Sequence, residues 1–451
     1  MDLPRPEGEA AMTETRETKL LGPWMSTAMV VGFMIGSGIF LLPATLAPYG
    51  RNALFAWGVT IGGTMCLALA FARLAARNPG GPQAYIADAF GDDAAFYTMW
   101  SYWISVITSV AAIGVAFSGA MAAAMPTLLG PGSLAPLAIA AIAAVTLLNL
   151  RGAYSAGGFQ VVTTLIKLLP LVAVIVVLAL RLGGGGHAEA LAPTPISGSG
   201  IASASALMLF SLLGFEAASV AARKTRDPER VVPLATLAGT GLTGLIYFAA
   251  CTAAILLLPA AAAAVSTSPF ADAIAPVWGS GAGQAIAALT AVSAIGAMNA
   301  GVLVQGEVGW TLAQSNDLPP ALARTNHKGA PVAALIITGL LAMLFVAFNA
   351  SRSFVGLYVF ITLISTVASL VLYAGAAAAA LKISLGPLTR VLIIAGFIYA
   401  IWTFYGAGLE ACLWGLALLA AGWPVRMISR WLNSRAATTP ATVPAQAAPR
   451  E

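Results

Sequence analysis

Long apolar runs, separated by short clusters of proline, glycine and charge, set the hydropathy pattern of this chain. The first uncharged run lies between Lys19 and Arg51. A second, Ala94 to Leu150, contains no Asp, Glu, Lys or Arg and is long enough for two spans of about 20 residues each. Reading the runs and their breaks predicts about twelve membrane-spanning helices. They fall near 21–47, 53–75, 94–125, 134–150, 157–181, 199–222, 231–257, 280–315, 331–349, 354–381, 388–405 and 408–429. Turn-forming residues punctuate the breaks, among them Pro79-Gly80-Gly81-Pro82, Pro131-Gly132, Gly183 to Gly186, Pro319-Pro320 and Gly386-Pro387.

Composition narrows the class. Of 451 residues, 59% are hydrophobic and 9% charged, against roughly 25% charged in soluble domains. The alternation of a transmembrane barrel is absent, so the fold class is all-α and polytopic. Residues Met1 to Lys19 mix acids and bases without an apolar core, so the first span is expected to act as an uncleaved insertion signal. The Ala/Thr/Pro-rich stretch 433–451 reads as a disordered tail. The expected division is a segment 1–20, a membrane domain 21–432, and that tail.

Charge sets the expected orientation. With the N-terminus inside, 18 of the 22 Lys and Arg lie on the inner side, only Arg51, Arg181 and Arg352 on the outer, and Lys167 falls within a span. This positive-inside bias predicts that both termini face the cytoplasm. The formal net charge of +5 therefore describes topology, and no nucleic-acid footprint is present in it. Cys66, Cys251 and Cys412 all lie in apolar runs, which suits packing and not a disulfide framework. His187 and His327 fall in loops and are too few for a metal cluster. Neither a metal nor a cofactor is called for.

Candidate chemistry begins at Gly36, Ser37 and Gly38, near the middle of the first span. Each glycine inside a helix costs about 1 kcal/mol relative to alanine, and a backbone amide freed in lipid must find another partner. Pro43 weakens the same helix again. The cluster by itself fits two readings: a helix broken to hold a ligand, or close packing through the small residues Gly32 and Gly36. Transporters built from inverted repeats interrupt the corresponding helix in each half. Span 6 offers Phe210-Ser211-Leu212-Leu213-Gly214-Phe215-Glu216, a glycine beside an intramembrane carboxylate. This pairing favours the broken helix. Free amides at a half-helix start suit a carboxylate, and carbonyls at a half-helix end suit an ammonium. Lys167 and Glu216 are costly inside a membrane and are candidates for coupling and gating. Lysine snorkelling to the interface and a structural hydrogen-bonding glutamate are the alternatives. Glu307 in span 8 has two readings, facing a cytoplasmic cavity or pairing with a base, of which the structural one is preferred.

These residues resemble the amino acid–polyamine–organocation transporters. The resemblance rests on Gly36-Ser37-Gly38-Ile39-Phe40 with Leu41-Leu42-Pro43, on Pro79-Gly80-Gly81-Pro82-Gln83-Ala84-Tyr85, and on Gly214-Phe215-Glu216-Ala217-Ala218-Ser219-Val220 followed by Asp227-Pro228-Glu229-Arg230 and Val232-Pro233. It is strongest to the basic amino acid/polyamine antiporter group, the bacterial arginine/agmatine antiporter among them. It implies the leucine-transporter-type fold: a five-plus-five inverted repeat, about 21–182 and 199–382, then two extra helices within 388–432.

The resemblance implies a substrate-binding set of Met34, Gly36, Ser37, Gly38, Ser105, Phe210, Ser211, Leu213 and Gly214, with Lys167 and Glu216 for coupling or gating. It also shows departures. Phe210 stands where the antiporter has a stacking tryptophan, and Val110, Gly301 and Leu363 stand where it has an asparagine, a tryptophan and a serine. Lys167 resembles the span 5 lysine of proton-coupled amino acid transporters and neutral amino acid exchangers. The implied function is a secondary amino acid/amine antiporter of the bacterial inner membrane, working by alternating access; proton-coupled transport of neutral amino acids is the alternative. A non-transporting sensor or a channel fits less well. Expected partners are a small amino acid or amine, the lipid bilayer, protons as candidate coupling ions, and a second copy as a candidate assembly.

Overall fold

Every regular element is helical among residues 22–36, 38–78, 80–151, 156–216 and 227–438, which the computed structural model describes. In chain order the α-helices are α1 (Pro23–Met34), α2 (Gly38–Leu46), α3 (Arg51–Arg77), α4 (Pro82–Phe90) and α5 (Asp92–Ala124). There follow α6 (Leu134–Asn149), α7 (Ala156–Gly183), α8 (Gly198–Ser211), α9 (Pro228–Leu257) and α10 (Ala260–Val265). The last are α11 (Pro269–Trp278), α12 (Ser280–Gln314), α13 (Val332–Phe348), α14 (Phe354–Leu381) and α15 (Pro387–Thr438). Proline opens α1, α4, α9 and α11, at the turn where its missing N–H costs nothing. Ser197 and Ser353 cap α8 and α14 by accepting from the Gly200 and Gly356 amides at 3.0 and 3.2 Å.

Seven of these helices are long and apolar enough to cross a membrane, and α1 with α2, bent by 54°, make an eighth crossing if counted as one span. The shorter helices α6, α8 and α13 are also apolar. Two predicted segments are interrupted. The segment 21–47 stops at Met34 and restarts at Gly38. The segment 199–222 stops being helical at Ser211, and residues 212–216 form turns. The segments 388–405 and 408–429 are two helices in one run, separated at Gly408, whose φ of 84° and ψ of 164° are not helical. That run continues to Thr438, past the 432 boundary expected from composition.

The core is organised around α5, which packs most extensively against α12 and α14. On the other side, α1 lies against α9, and α8 lies between α3 and α15. Where α15 crosses α8, a Cβ on Gly406 would sit 2.1 Å from the Ala202 carbonyl oxygen, so only glycine allows that crossing. A charged clasp joins the C-terminal half of α15 to the start of α5. Arg426 donates from Nε to Asp317 Oδ1 at 2.7 Å and from Nη1 to Asp93, and stacks over the Phe96 ring at 4.5 Å. Arg430 adds a longer contact to Asp317 at 3.4 Å. The three cysteines are unpaired with one another.

Candidate functional site

The two interruptions meet. The positive φ of Gly214, 105°, is a conformation that glycine adopts without strain, and it lets the chain leave α8 sharply. The position of a Cβ on Gly214 would lie 3.5 Å from the Phe33 carbonyl oxygen, at the end of α1. The corresponding position on Gly38, at the start of α2, would lie 3.1 Å from both Phe210 Cε1 and Ser211 Oγ. The end of α1, the start of α2 and the end of α8 thus share one wall.

Breaking a helix leaves polar backbone that the interior must satisfy. Two tyrosines from distant helices do part of this. Tyr247 of α9 donates to the Met34 carbonyl oxygen at 2.8 Å, which also accepts from the Gly36 amide at 2.7 Å. Tyr358 of α14 donates to the Gly38 carbonyl oxygen at 2.9 Å. Both tyrosines are buried. The end of α1, the start of α2 and the end of α8 border one space.

That space is a cavity of about 470 Å³. Met34, Gly36, Gly38, Ser105, Phe210, Ser211, Leu213 and Gly214, eight of the nine residues expected to bind substrate, line it, as do Lys167 and Glu216. Ser37 lies outside the described residues, as do 217–226 of the span 6 motif and Pro79. Gly301 also lines the cavity, and a Cβ there would stand 2.8 Å from Val110 Cγ2, so no larger residue fits without movement. On one side α2 closes the cavity: its residues Gly38 to Leu46 are all buried, and Phe210 meets Tyr358 edge-on at 6.2 Å. Toward α1 it is less covered, with Phe33 exposed.

The polar groups at the cavity fall into four sets. Glu216 accepts from Tyr102 Oη at 3.1 Å, Tyr373 Oη at 3.0 Å and the Gly214 amide at 3.2 Å, so both carboxylate oxygens are engaged. Ser109 and Ser365 share a hydroxyl contact of 2.8 Å, and Ser365 donates to the Ser105 carbonyl oxygen at 2.9 Å. Ser211 Oγ is buried and has no hydrogen-bond partner among the described residues. Lys167 is only 2% exposed, so its ammonium faces the interior and not the membrane interface. Among the described residues it forms no ion pair.

Glu307 differs from its expected role: it is exposed, lies outside the cavity wall, and pairs with no base among the described residues. An apolar helix gave no local sign that this position would face outward. Sequence reading also missed Tyr102, Ser109, Tyr373, Tyr247, Tyr358 and Ser365. Tyr102, Ser105 and Ser109 carry a readable signal, because spacings of three and four place them on one face of α5. The other tyrosines reach the site only through tertiary packing. No group of three or more His, Cys, Asp or Glu gathers in metal-binding range among the described residues.

Half-helix ends converging on a mostly apolar cavity, inside a bundle of membrane-length helices, define a multi-pass membrane transporter. Residues 21–432 match the amino acid permease family, and the chain belongs to it. It is similar to the cadaverine/lysine antiporter of Escherichia coli strain K12, 30% identical over 328 residues that cover 71% of this chain and 72% of that protein. It is also similar to the putrescine transporter PotE of the same strain, 26% identical over 424 residues, 91% of this chain and 96% of that protein. Such relatives are transporters and not enzymes, and they identify the chain as a secondary transporter of the amino acid–polyamine–organocation superfamily, consistent with its basic amino acid/polyamine antiporter group.

Proposed function

We propose that this protein exchanges amino acids or related amines across the bacterial inner membrane by alternating access around the cavity between α1, α2 and α8. The observation that carries the reading is the meeting of two interrupted helices at Gly38 and Phe210–Ser211, and at Gly214 and Phe33. In this reading the start of α2, at Gly36, Ser37 and Gly38, receives the substrate carboxylate, where amides and the helix dipole both favour an anion. Carbonyls at the ends of α1 and α8 receive the ammonium, and the Ser211 hydroxyl is available to either group. Phe210 covers the bound substrate, Glu216 links the α8 break to α5 and α14, and Lys167 supplies coupling charge.

The same reading takes the helices as twelve spans, in repeats of about 21–182 and 199–382 followed by two extra helices, with both termini in the cytoplasm. Opening toward α1 then corresponds to the cytoplasmic side. Named relatives handle cadaverine, lysine and putrescine, which supports exchange of amino compounds. Proteoliposomes test this directly: uptake of a labelled substrate should require unlabelled substrate inside, and uptake indifferent to internal substrate contradicts exchange. One observation favours a second reading, proton-coupled transport of neutral amino acids: Lys167 is buried and has no ion pair among the described residues. Uptake into empty vesicles driven by an imposed pH gradient would select it.

A further inference from the structure

The charge inventory of the cavity narrows the substrate class. Among the described residues its wall carries one carboxylate and one ammonium. The carboxylate, Glu216, already accepts from Tyr102, Tyr373 and the Gly214 amide and is 8% exposed. The ammonium, Lys167, has no counterion among the described residues. The α2 start adds partial positive charge to the same wall. A substrate with one carboxylate therefore balances this wall, and its single ammonium is met by the carbonyl ends of α1 and α8.

A second ammonium or a guanidinium has no such partner. It would be desolvated beside a fixed cation with no unengaged carboxylate, which is the arrangement that charge complementarity penalises. Its multiple donors would also remain unpaired. Beyond the hydroxyls of Tyr102, Ser105 and Ser109, the lining contributed by α5 and α12 is apolar, with Val106, Ile113, Ala297 and Val304, and Phe210 of α8 adds to it. An apolar side chain fits that surface, and Ser109 is already occupied by Ser365.

We propose that the cavity selects zwitterionic amino acids with neutral, apolar side chains and discriminates against dibasic amino acids and diamines. This rests on the reading of the cavity as the transport site, and it replaces the basic side chain that the relatives' names suggest.

The full-length protein, purified and reconstituted, tests the proposal with labelled leucine and labelled arginine. Competitors are alanine, methionine, lysine, cadaverine and glutamate. Leucine should be transported, and methionine should compete at concentrations at least about tenfold lower than arginine, lysine or cadaverine. Transport of arginine or cadaverine that neutral amino acids do not inhibit overturns the proposal while leaving the transport reading intact. Preferred competition by glutamate overturns it in favour of an anionic side chain.

Thermal shift of the detergent-purified protein separates binding from flux. Stabilisation by leucine without any flux supports the selectivity and contradicts transport; no stabilisation by any of these compounds together with no flux contradicts both. A variant probes the cause. Lys167→Met should narrow the arginine-to-leucine ratio in the binding measurement by about tenfold, and an unchanged ratio overturns the role given to the ammonium.

Discussion

Tyr247 donates its hydroxyl to the Met34 carbonyl oxygen at 2.8 Å, tying the end of α1 to α9 across 213 positions of sequence. This bond holds a helix end that lipid could not satisfy. Tyr247→Phe keeps the ring and removes the donor. It should destabilise the protein by about 1–3 kcal/mol, the cost of a buried polar group that loses a partner. Thermal unfolding in detergent checks this, and an unchanged midpoint would mean that the Gly36 amide alone suffices.

Gly214 is limited by backbone conformation and not by space. A Cβ there has no neighbour nearer than 3.5 Å, yet φ is 105°. Gly214→Ala should cost at least about 1–2 kcal/mol through strain alone. Gly38→Ala is the opposite case, with a Cβ 3.1 Å from Phe210 and Ser211 and no positive φ. It should leave the folded protein in place while displacing the Phe210 ring, so substrate affinity falls more than thermal stability does.

Glu216 joins α5, the α8 break and α14 through Tyr102, Gly214 and Tyr373. Glu216→Gln preserves shape but turns one acceptor into a donor that faces existing donors. Transport rate should fall about tenfold or more, and Tyr373→Phe should reproduce part of the loss. Their combined effect should be smaller than the sum of the two, since both act on one network.

Lys167 is buried and lines the cavity, and the proposed function gives it the coupling charge. Lys167→Ala should change both the exchange rate and its response to an imposed pH gradient. If proteoliposome flux retains the wild-type rate and gradient response, the coupling role is wrong.

The clasp on α15 makes a stability prediction that involves no substrate. Asp317 is 8% exposed at its side chain and Asp93 is 82% exposed, and both accept from Arg426. Asp317→Ala leaves a mostly buried guanidinium short of its buried partner and should cost about 3–5 kcal/mol. Asp93→Ala should cost about 1 kcal/mol or less, as a largely solvated pair does. Thermal unfolding of the two variants compares them directly.

Much of this arrangement was legible in sequence because a membrane span has few ways to be unusual. Gly36, Gly38 and Gly214 stand out in apolar helices, and Lys167 and Glu216 are the charges that such helices rarely tolerate. The binding set itself came from the family resemblance, and eight of its nine residues line one cavity, with Ser37 outside the described residues. What local sequence could not specify was how the breaks are satisfied. Tyr247, Tyr358 and Tyr373 are ordinary interior aromatics until packing brings their hydroxyls to Met34, Gly38 and Glu216. The preferred pairing of Glu307 with a base does not form among the described residues, since helical periodicity did not reveal which side of α12 would remain uncovered.

Ala300 lines the cavity and is partly exposed, so a thiol placed there reports on what occupies the space. The most direct measurement is the alkylation rate of Ala300→Cys, in a protein whose Cys66, Cys251 and Cys412 have been replaced, with and without a saturating transported substrate. If the space between the half-helices is the transport site, substrate should slow alkylation severalfold. A variant that still transports, yet is alkylated at the same rate with and without substrate, would place the site elsewhere.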